Sequence, residues 1–232
     1  MNAAKIAFHQ PKKYCFRRGY FMENILIVNA GTGNLKSVAN TITKLGFDPR
    51  ISSSPKDVLK ADRIILPGVG AFGEFMAGLE NNNLIPALKT FLNSGKPLLG
   101  ICVGMQALFE LSEEMGQYPG INLLPGKVTR FPDSIQLKIP HTGWNQLFFD
   151  QNQSLFYGIA PGSYVYFNHT YYCLPDKAEN ITATTQYGFD FCSAVQSNNI
   201  YGVQFHPEKS QKIGKQILNN FLTMPIYQKE TK

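Results

Sequence analysis

Three side chains in this sequence could together break an amide bond: Cys102, His206 and Glu208. Cys102 lies in Gly100-Ile101-Cys102-Val103-Gly104-Met105-Gln106, after the apolar run Pro97-Leu98-Leu99 and before Ala107-Leu108-Phe109-Glu110-Leu111. The first run suits a short buried strand and the second a helix, which puts Cys102 on a tight strand-to-helix turn. A glycine two residues to either side admits a bend that a Cβ would obstruct, the mechanics of a nucleophile elbow with sulfur in place of oxygen. At a helix start, unpaired N–H groups and the positive end of the dipole favour a thiolate, and the Val103 amide points where an oxyanion would form. A buried structural cysteine is the plainer alternative for any such residue taken alone.

The partner groups come from elsewhere in the chain. Ile200-Tyr201-Gly202-Val203-Gln204-Phe205 is an apolar strand that delivers His206 at its end, and Pro207 keeps His206 out of a helix. Glu208 shares the face of His206 if the chain stays extended, so its carboxylate can fix the imidazole tautomer while the other ring nitrogen reaches Cys102. Pro67-Gly68-Val69-Gly70-Ala71-Phe72-Gly73 can turn the Val69 and Gly70 amides toward the same edge as a second oxyanion donor; a flexible loop is the alternative. A metal site is the weaker reading, because only His206 and Glu208 are adjacent and further ligands are not apparent. No cofactor is expected. Gly31 and Gly33 invite a dinucleotide fold, yet the next fingerprint position is Lys36, which removes it.

These residues need a scaffold, and the hydrophobic pattern supplies one. Strand-like runs at 24–28, 47–51 and 62–66 alternate with helical stretches at 35–45, 54–60, from 74 and at 84–93, the texture of a doubly wound α/β sheet. After Gly116 the chain turns to β, with strand-like runs at 123–131, 137–139, 164–167, 181–185 and 191–196, before a helix over 212–222. His141 and His169 lie among aromatics, where satisfied core histidines are the ordinary finding.

Length and charge narrow the classes. The 232 residues suit one domain, read as 22–232, and no apolar run approaches the roughly 18 residues of a membrane span. Cys15, Cys102, Cys173 and Cys192 form no metal or disulfide spacing, which suggests a reducing, cytoplasmic setting. The net charge of +6 comes almost wholly from residues 1–21, with Lys5, Lys12, Lys13, Arg17 and Arg18 and no acid. That basic, aperiodic stretch reads as disordered. A start at Met22 is its plainest account, with a targeting arm or nucleic-acid tail as alternatives. The remaining near-neutral domain lacks the basic footprint of a nucleic-acid binder.

On these motifs the chain resembles the class I (triad) glutamine amidotransferases, through Gly-Ile-Cys102-Val-Gly-Met-Gln and Phe-His206-Pro-Glu208. Further segments resemble the branch that serves imidazole glycerol phosphate synthase: Pro-Gly-Val-Gly-Ala-Phe at 67–72, Leu-Pro-Gly-Lys-Val-Thr-Arg-Phe at 124–131, Pro-His-Thr-Gly-Trp-Asn at 140–145 and Tyr-Phe-Asn-His-Thr-Tyr-Tyr at 166–172. The resemblance implies a flavodoxin-like fold, mostly parallel, with additional strands in the C-terminal half. It implies catalysis by Cys102, His206 and Glu208, an oxyanion hole from Val103, Val69 and Gly70, and L-glutamine held by Gly70, Gln106, His169 and Thr170. Asn29, Trp144 and Lys209 would face the partner, a (β/α)8 cyclase subunit that receives ammonia. Asn29-Ala30-Gly31, Thr142, Asn168 and Thr170 depart from the usual family pattern. A paralogue serving another synthase therefore stays open, whereas intact Cys102, His206 and Glu208 argue against an inactive scaffolding subunit, and a cysteine peptidase would not call for the Gly68–Gly70 loop or Gln106.

Overall fold

Ile25–Val28, four consecutive buried apolar residues, form strand β1, as expected of a strand covered on both faces by helices. The computed structural model describes residues 23–150 and 152–226. The basic segment 1–21 lies outside the described residues. β1 is followed by α1 (Leu35–Lys44), β2 (Arg50–Ser52), α2 (Pro55–Lys60), β3 (Arg63–Gly68), α3 (Phe72–Asn81), α4 (Leu84–Asn93), β4 (Leu98–Cys102) and α5 (Val103–Gln106). Next come β5 (Phe109–Ser112), β6 (Tyr118–Pro119), β7 (Leu124–Arg130), β8 (His141–Leu147), β9 (Ser163–His169), β10 (Tyr171–Pro175), β11 (Ile181–Gln186), β12 (Asp190–Ser197), β13 (Ile200–Val203) and α6 (Gln211–Thr223).

The heart of the sheet is β2-β1-β3-β4-β13, all parallel, the order of a doubly wound flavodoxin-like sheet. Helix α4 packs against both α2 and α3, and α1 packs with α6. β13 arrives about a hundred residues after β4 yet lies beside it, with Gly202 opposite Gly100. That register, absent from any local pattern, carries His206 to the edge where Cys102 sits. Beyond β13 the sheet continues as β12-β10-β7-β5-β6, with β11 on β12, while β8 and β9 form a separate two-stranded antiparallel ribbon.

Several expectations need correction. The helix after Cys102 is the single turn α5, and Phe109–Ser112 is strand β5, paired with β7 and β6. Phe109 is buried and Glu110 exposed, so the apolar run alternates across a sheet where a helix was expected. The second strand starts at Arg50, because the Phe47 amide closes the end of α1 on the Ile42 carbonyl and Pro49 has no N–H for a ladder. Leu137–Ile139 follows a 3-10 turn at Asp133–Ile135 and pairs with no strand. The segment 141–147, unassigned from sequence, is β8.

Candidate active site

Cys102 ends β4 with φ 55° and ψ −113°, a conformation that L-residues adopt only under constraint. The constraint is close packing. A Cβ on Gly104 would fall 1.8 Å from the Leu66 carbonyl oxygen, and one on Gly100 would fall 2.6 Å from the Gly104 oxygen. The glycines flanking Cys102 are thus needed for close approach, and the strained torsion is borne by the cysteine itself. Cys102 is only 4% exposed, yet it lines a cavity of about 440 Å³, a volume suited to a small ligand.

Around that cavity the fold assembles Val69, Gly70, Val103, Gln106, His169, Thr170, His206 and Lys209. Val69 and Gly70 follow β3, and Gly70 takes φ +85°, the turn that glycine alone adopts freely. Val103 opens α5, so its N–H belongs to the helix start that has no intrahelical acceptor. His206 is extended, but Pro207–Lys209 closes a 3-10 turn. Glu208 therefore reaches His206 by folding back, and not along an extended face as the sequence suggested. Its Oε1 lies 3.0 Å from Nδ1 of His206, and both side chains are almost wholly buried. Burial works against the imidazolium, but hydrogen bonds to Cys102 and Glu208 outweigh it and push the His206 pKa up to about 10. Since Nδ1 is taken by Glu208, the nitrogen facing Cys102 is Nε2. Glu208 Oε2 is buried without a hydrogen-bond partner among the described residues.

His169 and His141 belong to a buried neutral network. The Tyr171 carbonyl can only accept, so His169 Nδ1 donates to it at 2.8 Å. His169 Nε2 then accepts from His141 Nδ1 at 3.0 Å, and His141 Nε2 accepts from the Asn145 amide at 3.2 Å. Burial lowers the pKa of His141 to about 4 and of His169 to about 3. His169 has no ring nitrogen left for a ligand; it can offer only its ring and backbone. Gln106 is similarly committed. Its amide N–H groups reach the Tyr171 carbonyl at 3.0 Å and Gln204 Oε1 at 3.2 Å, which leaves only Oε1 to offer a ligand in the cavity it lines.

The residues expected to face a partner divide. Trp144, 47% exposed on β8, packs edge-on against Tyr166 at 6.0 Å between centroids, and Lys209 Nζ stands 5.5 Å from the Tyr166 ring centroid. Asn29 stands apart at the end of β1, where its Oδ1 accepts from the Gly31 amide. Thr142 and Asn168, two of the departures from the family pattern, are opposite each other on β8 and β9 and hydrogen-bonded at 3.0 Å. Sequence reasoning passed over Glu114 and Gln204. Glu114 is the one carboxylate among the cavity's lining residues; burial raises its pKa, opposed by a hydrogen bond from the Phe72 amide. Its place at the cavity follows from β5, which pairs with β7 and β6 and for which the sequence carries no local signal. Gln204 does precede His206 by two residues just past the end of β13, and that spacing was the available clue.

A family model described as glutamine amidotransferase class-I matches residues 26–224. The chain belongs to the class-I glutamine amidotransferases. This amidotransferase is 46% identical over 205 residues to the imidazole glycerol phosphate synthase subunit HisH of Geobacter metallireducens, spanning 86% of this chain and 98% of that one. It is 47% identical over 208 residues to the HisH subunit of Methanosarcina acetivorans, spanning 88% and 100%. Among solved structures, one described as a glutamine amidotransferase aligns with TM-score 0.67 at 16% identity over 85% of this chain and 96% of that one. The PurLQS structure from Thermotoga maritima aligns with TM-score 0.64 at 19% identity over 87% and 98%. At such identities these two speak for the fold alone.

Proposed function

We propose that this enzyme is the glutaminase subunit of an imidazole glycerol phosphate synthase in histidine biosynthesis, acting through a Cys102-His206-Glu208 triad and passing ammonia to a (β/α)8 cyclase subunit. The observation that carries the reading is His206, held between the Cys102 sulfur and the Glu208 carboxylate at the wall of one cavity. The full-length likeness to HisH subunits supports the choice of synthase.

The residues then divide the reaction between them. The Cys102 thiolate, paired with the His206 imidazolium, attacks the side-chain amide carbon of glutamine. The oxyanion develops toward the Val103 N–H and an amide of the Val69-Gly70 turn. His206 gives its proton to the departing ammonia, leaving a γ-glutamyl thioester on Cys102. Water, deprotonated by His206, attacks the thioester carbon, and glutamate leaves as the thiolate returns. Gly70, Gln106, His169 and Thr170 surround the substrate, and Glu114 supplies the negative charge an α-ammonium group would seek. Asn29, Trp144 and Lys209 face the cyclase, and the domain occupies 22–232.

The test measures glutamate release by the chain alone, with the cyclase, and with cyclase plus its acceptor. Activity is expected to rise at each addition and to vanish in Cys102→Ser. A chain that hydrolyses no glutamine under all three conditions, or a Cys102→Ser variant that retains activity, would overturn the reading. Stimulation by a different synthase in place of the cyclase would favour a paralogous pathway.

A further inference from the structure

The sulfur of Cys102 has a second polar neighbour besides His206. Gln204, with no solvent exposure, places Nε2 3.7 Å from Cys102 Sγ. Gln204 and His206 are two residues apart beyond the end of β13, so both aim at the sulfur from one stretch of chain. Which end of the Gln204 amide faces the sulfur is decided several bonds away. The Tyr171 carbonyl can only accept, so Gln106 must turn its Nε2 toward it. The second hydrogen of that nitrogen goes to Gln204 Oε1, and Gln204 is left with only its NH2 to offer Cys102. A backbone carbonyl thus sets the polarity of a chain of three side chains.

We infer that Gln204 is a positioning residue for the Cys102 sulfur, donating a hydrogen bond that holds the thiolate in place and whose direction the Tyr171 carbonyl imposes through Gln106. The inference rests on the reading of Cys102 as nucleophile. A sulfur held only by His206 loses its donor whenever His206 gives its proton to ammonia. Gln204 cannot give up a proton at neutral pH, so its hydrogen bond persists through the cycle and favours departure of sulfur as thiolate when the thioester is hydrolysed. The titratable groups near the sulfur are His206, backed by Glu208, with Glu114, His169, Tyr171 and Lys209 on the cavity wall and Cys173 from β10. None of them gives the sulfur a donor that stays through the cycle: His206 gains and loses its proton, both ring nitrogens of His169 are committed, the Lys209 ammonium stands over the Tyr166 ring, and no hydrogen bond joins Cys102 to Glu114, Tyr171 or Cys173 among the described residues.

The test is the pH profile of Cys102 alkylation by iodoacetamide, read from the mass of the Cys102 peptide, in the full chain and in Gln204→Met. Methionine keeps the length and volume but removes the donor. Losing a hydrogen bond to a charged group should move the profile up by about one pH unit or more. Near neutrality, kcat for glutamine should fall by about tenfold, with KM changed less than about threefold. Gln204→Glu, which turns an acceptor toward the sulfur, should fall further. A space-filling role predicts instead that Gln204→Met behaves as the parent, and superimposable alkylation profiles in a folded Gln204→Met protein would overturn the inference. If Gln204→Met does not fold, Gln204→Leu removes the donor with a smaller side chain, and an unshifted profile there would overturn it equally. If Cys102 of the parent chain reacts no faster than buried Cys173 and Cys192, it is the nucleophile assignment itself that fails.

Discussion

Glu208→Gln removes one charge from the triad and almost no volume, so its effect can be worked from the site. The carboxylate accepts from His206 Nδ1 at 3.0 Å, and its side chain is about 1% exposed. A hydrogen bond between charged groups contributes about 1.5–3 kcal/mol, which is roughly 10- to 10²-fold in rate if it is lost in the transition state. The amide also inherits a second cost. Glu208 Oε2 already lacks a partner among the described residues, so an NH2 at that position would be a buried donor without an acceptor there. The expected loss in kcat is therefore about 10- to 10²-fold, against at least about 10³-fold for His206→Ala, which removes the acid-base group itself. The two residues act as one unit, so the double variant should be no worse than His206→Ala. A pH signature accompanies the loss. With burial still opposing the imidazolium and the Glu208 charge gone, the His206 pKa falls from about 10, and activity should decline at a lower pH on the alkaline side. The assay is steady-state glutamate release across pH 6 to about 10.5 with the cyclase present. Losses that multiply in the double variant, or an alkaline limb that stays in place, would refute the idea of a shared triad.

Gly104→Ala should distort the elbow, since its Cβ would lie 1.8 Å from the Leu66 oxygen; a melting temperature lower by about 5–10 °C is expected, with activity down about 10²-fold, and a variant that melts with the parent would refute the packing argument. His141 stays neutral in the folded chain down to about pH 4 whereas the unfolded chain protonates it near 6.5, so its contribution is complete above 6.5 and is lost as pH falls through that window. Melting temperature should accordingly drop between about pH 6.5 and 4, less steeply in His141→Asn, and equal slopes would count against the buried network. Trp144→Ala should weaken cyclase binding by about 10-fold or more, measured by titration calorimetry, and leave glutamine hydrolysis by the isolated chain unaltered; undiminished affinity would remove Trp144 from the interface.

The parallel half of the sheet was legible because buried strands and amphipathic helices leave strong local patterns: β1, α1, α2, α4 and α6 fall within a residue or two of where their apolar spacing puts them. The elbow was legible for a related reason, since glycines packed against backbone leave no alternative residue and so mark the turn in the sequence. The 107–111 run misled because four or five apolar residues fit one turn of helix as well as a strand, and the choice was made by β7, which pairs with β5 from farther along the chain. By itself, then, the sequence determined the local conformations and the chemical kinds: a tight cysteine turn, a histidine kept extended by Pro207, a carboxylate two residues on. Only the tertiary structure decided how those kinds meet. Gly202 opposite Gly100 sets His206 beside Cys102, the 3-10 turn folds Glu208 back on His206, and the Tyr171 carbonyl orients Gln106 and Gln204. The physical reason is that a side chain's type and local torsions are written within a few residues, whereas the direction of a buried hydrogen bond depends on which acceptor the fold brings from elsewhere in the chain.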